Sequence, residues 1–561
     1  MHDVPPVALQ KKNMALLCSR CRGSGVEAEE QTITCVVLEG GPCSPCKERE
    51  VIRGQIEQLE EEITKLKAKH HALGGGMNAI HDPFIHKLPP EIGSHIFCLF
   101  LPTLDFEDFD LWNKAATFTR VMRLGAVCRK WRQLAWTTPD LWDTIFLKIK
   151  PSTSRSLAES LPGLLREWLS RSGLRPLTIF FQHFGCSEES DYSPSNDEFS
   201  DESAANTLES ATGMVIEIIN LYSGRWQSLH LDVGAADISE RLCGSVQPNN
   251  QLFGLDLQVS GKTSPTQKFV MKTKPFPTQL TLFNFSPTSI DIGWDNITHA
   301  SLCSLSANEC LDVLRRAPAL EYCVAEPRDD DTVNFVPTIL NSRLLSLNFT
   351  SRGTKFLDAI NVPSLEEWVQ NTDGGPLSVT AMVSLLERSG CCLKILSLQH
   401  ISAPPDNLSI LFEAMPSLER LQLHFYSVKN ADGVMDDILA RIFNSPPGNS
   451  TIPSEEASRE SFLPHLQFME CIPLSYATFA PFSWNHIPQL YRQGHRRSLT
   501  LRSTADESHI SDGTALQLLK LIDEGVDLQI CDKTTKGGGD FLENFRKKLC
   551  SLSSTNLSKW K

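Results

Sequence analysis

Two pairs of thiols open the chain, Cys18-x2-Cys21 and Cys43-x2-Cys46, with 21 residues between them. Four thiolates so spaced can hold one structural zinc ion tetrahedrally. Gly23, Gly25, Gly40 and Gly41 flank the pairs and let backbone amides turn toward sulfur, while Cys35 is left over. The alternative is coincidence in a reduced N-terminal segment. Other reactive patterns fail on inspection. Gly261-Lys-Thr263 resembles the end of a phosphate loop, but the glycine that loop needs upstream is Asp256. Neither His-Glu-x-x-His nor Gly-x-Ser-x-Gly occurs, and no Ser/His/Asp set can be named. The basic run Arg492 to Arg502 reads as a solvated turn before the strand Leu499-Thr-Leu501; a nucleic-acid surface would need more charge and interleaved aromatics. The expectation is a protein without catalytic residues, requiring no cofactor beyond that one candidate zinc.

Lys plus Arg number 53 against 67 for Asp plus Glu, a net charge of −14, which disfavours nucleic acid and anionic membranes as partners. Met1 to Arg20 holds no long apolar core, and no run reaches ~18 apolar residues, so neither a signal peptide nor a membrane span is expected. That points to the cytoplasm or nucleus, where the 17 cysteines stay reduced and most serve as small buried hydrophobes.

The elements that would position these residues fall into zones. Residues 1–47 are the Cys-rich segment, and 48–76 form a heptad helix with a glycine hinge at Gly74-Gly-Gly76. Residues 82–147 are a helical module, 160–535 a leucine-patterned region, and 536–561 a tail. Residues 185–205, with seven acidic and no basic residues between Glu188 and Glu202, and residues 445–461 read as disordered loops. In the helix, Ile56 and Ile63 take heptad position a, and Leu59, Leu66 and Leu73 take d, with Ile52 and His70 in the same series. Isoleucine at a with leucine at d suits a parallel homodimer through residues 52–73, and Glu62 and Lys67 are placed to pair between chains. The alternative is an amphipathic helix folded back on the module that follows it.

That module begins Leu88-Pro-Pro-Glu-Ile92, where proline suits the first helical turn. Pro102 stops its first helix. Leu124, Val127, Cys128, Trp131 and Leu134 then recur at helical spacings of three and four, predicting one helix that Thr138-Pro139 breaks. The opening and the centre Cys128-Arg-Lys-Trp-Arg-Gln-Leu-Ala135 together resemble an F-box. With the heptad helix, Trp168-Leu-Ser-Arg-Ser-Gly173 and Arg225-Trp-Gln-Ser-Leu-His-Leu231, the arrangement looks like the large F-box families of mushroom-forming fungi. The stretch between Pro102 and Arg123, with Asp105, Glu107, Asp108 and Asp110, lengthens the link between helices beyond the family pattern. The resemblance implies binding of a Skp-type adaptor through Leu88, Pro89, Ile92, Ile96, Val127, Trp131 and Leu134. It also implies membership of a cullin–RING ubiquitin ligase, with ubiquitin transfer left to other subunits.

Beyond it, an apolar residue, two spacers, an apolar residue, one spacer and a third apolar residue recur. Trp226/Leu229/Leu231, Leu252/Leu255/Leu257, Leu393/Leu396/Leu398 and Leu418/Leu421/Leu423 fit. Weaker copies lie at Leu320/Cys323, Leu345/Leu347, Leu365/Trp368 and Leu463/Leu466/Phe468. Two leucines two apart on a strand enter the same core, and segments such as 311–318 and 408–416 return as helices stopped near proline. The predicted fold is α/β: a helical F-box followed by a degenerate leucine-rich-repeat-like solenoid presenting a face to an unidentified target protein. A different α/β layering is its rival. In function, the rivals are a non-ligase F-box scaffold and a zinc-dependent dimeric regulator linked to nucleic acid.

Overall fold

The structure, a computed structural model, describes residues 43–81, 88–101, 120–183, 202–234, 236–246, 252–259, 268–328, 338–350, 353–401, 408–425, 438–442, 462–473, 487–488, 491, 499–505, 510–532 and 540–547. Cys18, Cys21, the acidic stretch 102–119, residues 184–201 and the loop 445–461 lie outside the described residues. The chain divides into two compact units: Met1–Phe100 with Arg120–Trp136, and Leu101–Thr119 with Thr137–Lys561.

In the N-terminal unit, helix α1 spans Ser44–His81. The expected glycine hinge is not there. Gly74, Gly75 and Gly76 are all helical, and nothing lies within 4 Å of a Cβ added at Gly74 or Gly76. Each glycine costs about 1 kcal/mol relative to alanine, yet the helix continues past them to His81. Nor does α1 fold back on the module: its apolar stripe is exposed along its length. Helix α2 (Pro90–Leu99) starts on Pro89, whose carbonyl accepts from the amides of Ile92 and Gly93 at 3.1 Å. The single helix expected between Leu124 and Thr138 is two, α3 (Arg120–Val127) and α4 (Arg129–Trp136). The break falls at Cys128, whose thiol accepts from the Trp131 amide at 3.4 Å and so caps α4.

The second unit is built on fourteen parallel strands that lie side by side in chain order. They are β1 (Thr144–Ile149), β2 (Leu177–His183), β3 (Trp226–Val233), β4 (Gly254–Gln258), β6 (Gln279–Phe283), β8 (His299–Leu305), β9 (Tyr322–Pro327), β11 (Ser346–Thr350), β13 (Glu367–Asn371), β14 (Ile395–Ile401), β15 (Arg420–Phe425), β16 (Phe468–Pro473), β17 (Thr500–Ala505) and β18 (Leu528–Asp532). Two short parallel pairs join successive return segments: β5 (Phe269–Val270) with β7 (Ile290–Asp291), and β10 (Ile339–Leu340) with β12 (Ile360–Asn361). The return helices include α5 (Arg155–Arg171), α6 (Glu202–Leu221), α7 (Ala236–Arg241), α8 (Ala307–Arg316), α9 (Lys355–Asp358), α10 (Val379–Ser389), α11 (Leu408–Glu413) and α12 (Asp512–Asp523). Their apolar sides join the strand leucines in one continuous core. At the end of α10, Gly390 has φ 59°, the left-handed turn that lets the chain re-enter the sheet.

One ladder carries the leucine pattern. Leu229, Leu255, Leu280, Ala300, Cys323, Leu347, Trp368, Leu396 and Leu421 are successive cross-strand partners, and Met469, Leu501 and Leu528 continue the row. Two weak copies are out of register with the expectation. The middle position is Leu347, not Leu345, because the unit is Leu344/Leu347/Phe349, all fully buried. Likewise Leu466/Met469/Cys471 replaces Leu463/Leu466/Phe468, since Met469 and Cys471 point into the core. The sheet also starts earlier than residue 160, at Thr144, and so takes in the last residues assigned to the helical module. Residues 202–205, placed in the acidic loop, already belong to α6. Phe541 and Leu542, assigned to the tail, belong to the core.

Candidate functional site

The four-residue period of α2 sorts its side chains onto two faces. Gly93 and Phe97 are buried, whereas Ile92 and Ile96 are exposed, as are Leu88 and Pro89 just before the helix and Leu99 and Phe100 at its end. Phe97 is held by Trp131 of α4, with ring centroids 4.9 Å apart and planes at 42°. That pairing fixes α2 on α4 and leaves Ile92 and Ile96 outside the packing.

The residue pattern around Trp131 has a mechanical reading, position by position. Cys128 caps α4. Arg132 reaches back, its Nε donating to the Gly125 carbonyl at 2.8 Å, and its guanidinium lies 5.6 Å from the Trp136 ring centroid. Ala135 is fully buried, and Val121 and Leu124 fill the underside of α3. Val127 and Met122 remain exposed.

Of the seven residues expected to bind an adaptor, Leu88, Pro89, Ile92, Ile96 and Val127 are exposed, and Trp131 and Leu134 are half-buried. Trp131 is thus as much a core residue as a surface one, which spacing alone could not show. Large exposed apolar side chains on short helices mark a surface that expects a partner. Of the zinc candidates, Cys43 precedes α1 and Cys46 lies in its first turn. Among the described residues, no group of three or more His, Cys, Asp or Glu side chains is placed to hold a metal ion.

In the second unit, the sheet face opposite the leucine ladder carries a row of its own. Phe146 stacks on Phe180 at 4.3 Å, and Phe180 on His230 at 4.2 Å. His230 Nδ1 donates to Asp256 Oδ2 at 3.0 Å, and Gln258 Nε2 donates to the same carboxylate at 3.1 Å. Beside them Gln182 Nε2 donates to Asp232 Oδ2 at 2.7 Å. Further along the row, Thr281, Ser301, Val324, Asn348 and Val369 are half-exposed. It closes on Glu470, which accepts from Gln422 Nε2 at 2.8 Å and from Arg502 Nη1 at 3.2 Å. The middle of this face offers aromatic surface: Tyr322, 42% exposed and stacked on His299 at 4.5 Å, and Phe283, also 42% exposed. Sequence reading did not single out these residues. The signal for them was their place one position off each leucine.

No described helix is long and apolar enough to cross a membrane. Residues 85–148 match the F-box-like family model. That match runs across the division between the two units in the sequence and reaches into the first sheet strand. No curated protein matches the chain.

Proposed function

We propose that this F-box domain protein is the substrate-recognition adaptor of a cullin–RING ubiquitin ligase in the cytoplasm or nucleus. The observation that carries the reading is the exposed row Leu88, Ile92 and Ile96 with Val127, apolar side chains left over after Phe97 and Trp131 have satisfied the helices' own packing. A Skp-type adaptor would cover that row, as apolar helical faces are covered in protein interfaces. The parallel sheet unit, read as a degenerate leucine-rich-repeat array, would hold a target protein on its open face, with Tyr322 and Phe283 as anchors. The protein itself performs no chemistry in this scheme; it raises the local concentration of a target lysine near the conjugating enzyme.

Ile92→Asp with Ile96→Asp tests the adaptor contact without touching the internal packing. Each buried isoleucine contributes about 2 kcal/mol, so the pair should abolish co-purification of a Skp-type adaptor while leaving helicity intact. Trp131→Ala is the poorer probe, because it also unseats Phe97. Retained adaptor capture by the double variant refutes the reading. Capture of the adaptor without any cullin would instead identify a scaffold outside the ligase. Tyr322→Ala with Phe283→Ala should preserve adaptor binding and lose captured targets.

A further inference from the structure

We infer that α1 is one strand of a parallel two-stranded coiled coil, and that its partner is a second copy of this chain. The inference is independent of the ligase reading, since it concerns a different helix and a different surface.

The seam is longer than the sequence alone suggested, because the helix does not stop at the glycines. Carrying the heptad through to His81 adds Met77 at a and Ile80 at d. The a positions are then Ile56, Ile63, His70 and Met77, and the d positions Ile52, Leu59, Leu66, Leu73 and Ile80. Gly54, Gly74, Gly75 and Gly76 all fall at e, f or g, so none of them interrupts the seam. The apolar seam residues from Ile52 to Met77 are between 47% and 64% exposed. A lone helix with such a stripe is marginal in water, and burial of the stripe is what would hold it.

The flanking charges select the occupant. In a parallel, in-register pair each g residue faces the e residue five positions on in the other chain. From Glu48 to Gly74 those pairs are Glu48 with Arg53, Gln55 with Glu60, Glu62 with Lys67, and Lys69 with Gly74. Two are opposite charges, two involve an uncharged residue, and none sets like charges together. Arg53 is also engaged by Glu50 of its own helix at 3.1 Å, which leaves Glu62–Lys67 as the cleaner intermolecular pair. Lys67 borders a surface groove with Ile63, Leu66, His70 and His71, the kind of recess that accepts a side chain from a facing helix. Isoleucine at two a positions and leucine at three d positions favours two parallel strands over higher orders. Between Ile52 and Ile80, His70 is the one polar member of the seam; Arg49 holds the a position one heptad before Ile56.

The test uses the full chain in sedimentation equilibrium at low-micromolar concentration, where twice the chain mass is expected. Glu62→Lys sets a like charge against Lys67 of the second copy and should weaken the dimer about fivefold or more, as should Lys67→Glu. Mixing those two variants should yield a mixed dimer in preference to either homodimer, and the doubly exchanged chain should dimerise like the parent. His70→Leu should tighten the dimer at least about tenfold. These positions are exposed, so far-ultraviolet circular dichroism of the variants should match the parent. A monomeric full chain overturns the inference, as does indifference of the dimer to Glu62→Lys or the absence of any preference on mixing.

Discussion

Asp143 stands immediately before the first sheet strand with its carboxyl largely withdrawn from water, and that burial pushes its pKa up from 3.8 to about 6. The Thr144 hydroxyl, donating to it at 3.0 Å, pulls the other way; the nearby Asp140 carboxylate adds to the rise and Arg175 reduces it. Between the two pKa values the folded chain keeps a proton that the unfolded chain has released. Stability is therefore free of this penalty below about pH 4, falls as pH rises through the window, and carries the full penalty above about pH 6. Asp143→Asn removes the charge but keeps an acceptor for Thr144. The variant should be more stable than the parent by about 1 kcal/mol at pH 7.5, once partial exposure is allowed for, with the difference vanishing near pH 4. Denaturant titrations of both proteins across that range measure it, and a gain that does not change with pH would exclude burial of the charge as its cause.

Single side chains also join one return segment to the next. Ser306 and Glu309 form a reciprocal cap on α8: the Ser306 hydroxyl accepts from the Glu309 amide, and Glu309 Oε2 accepts from the Ser306 amide at 3.0 Å. Arg388 of α10 donates to the carbonyls of Leu357 at 2.7 Å and Ile360 at 2.9 Å, and Asn341 donates to the Ala317 carbonyl at 3.4 Å. Ser306→Ala should cost about 1 kcal/mol. Arg388→Met, which strands two carbonyls, should cost about 2 kcal/mol, read as lowered midpoints for the sheet unit. The bonds of Arg388 and Asn341 were not legible in the sequence, because a bond to a carbonyl between 24 and 31 residues away leaves no periodic trace. The leucine ladder was legible, since burial repeats it strand after strand. It was misread where two leucines were adjacent, at Leu344-Leu345, and where methionine and cysteine took the leucine places, at Met469 and Cys471. Strands β1 and β2 escaped because Phe146 and Phe180 make both faces apolar and erase the alternation. The helical character of the stretch from Leu124 to Leu134 was visible in its spacing, whereas the break at Cys128 was not, for the helical period runs through it unbroken.

Fourteen parallel strands in chain order give the sheet unit a one-dimensional logic, in which each strand's hydrogen bonds go only to the strands before and after it. Of these fourteen, β1 and β18 are the edges, and every strand between them depends on two neighbours. A wound in the middle should therefore spread along the row and fade with distance. Leu347 is the place to make one: fully buried on β11, it lies between Cys323 on β9 and Trp368 on β13. Leu347→Ala deletes core volume where rigid neighbours on both sides resist collapse, so a cost of about 3 kcal/mol is expected. Amide hydrogen exchange should accelerate most in β9, β11 and β13, less in β8 and β14, and little in β1 or β18. Helices α2, α3 and α4 belong to the other compact unit and should keep their protection. Equal acceleration in all fourteen strands would show that the sheet opens only as a whole, and accompanying loss of protection in α2 would show that the two units fold as one.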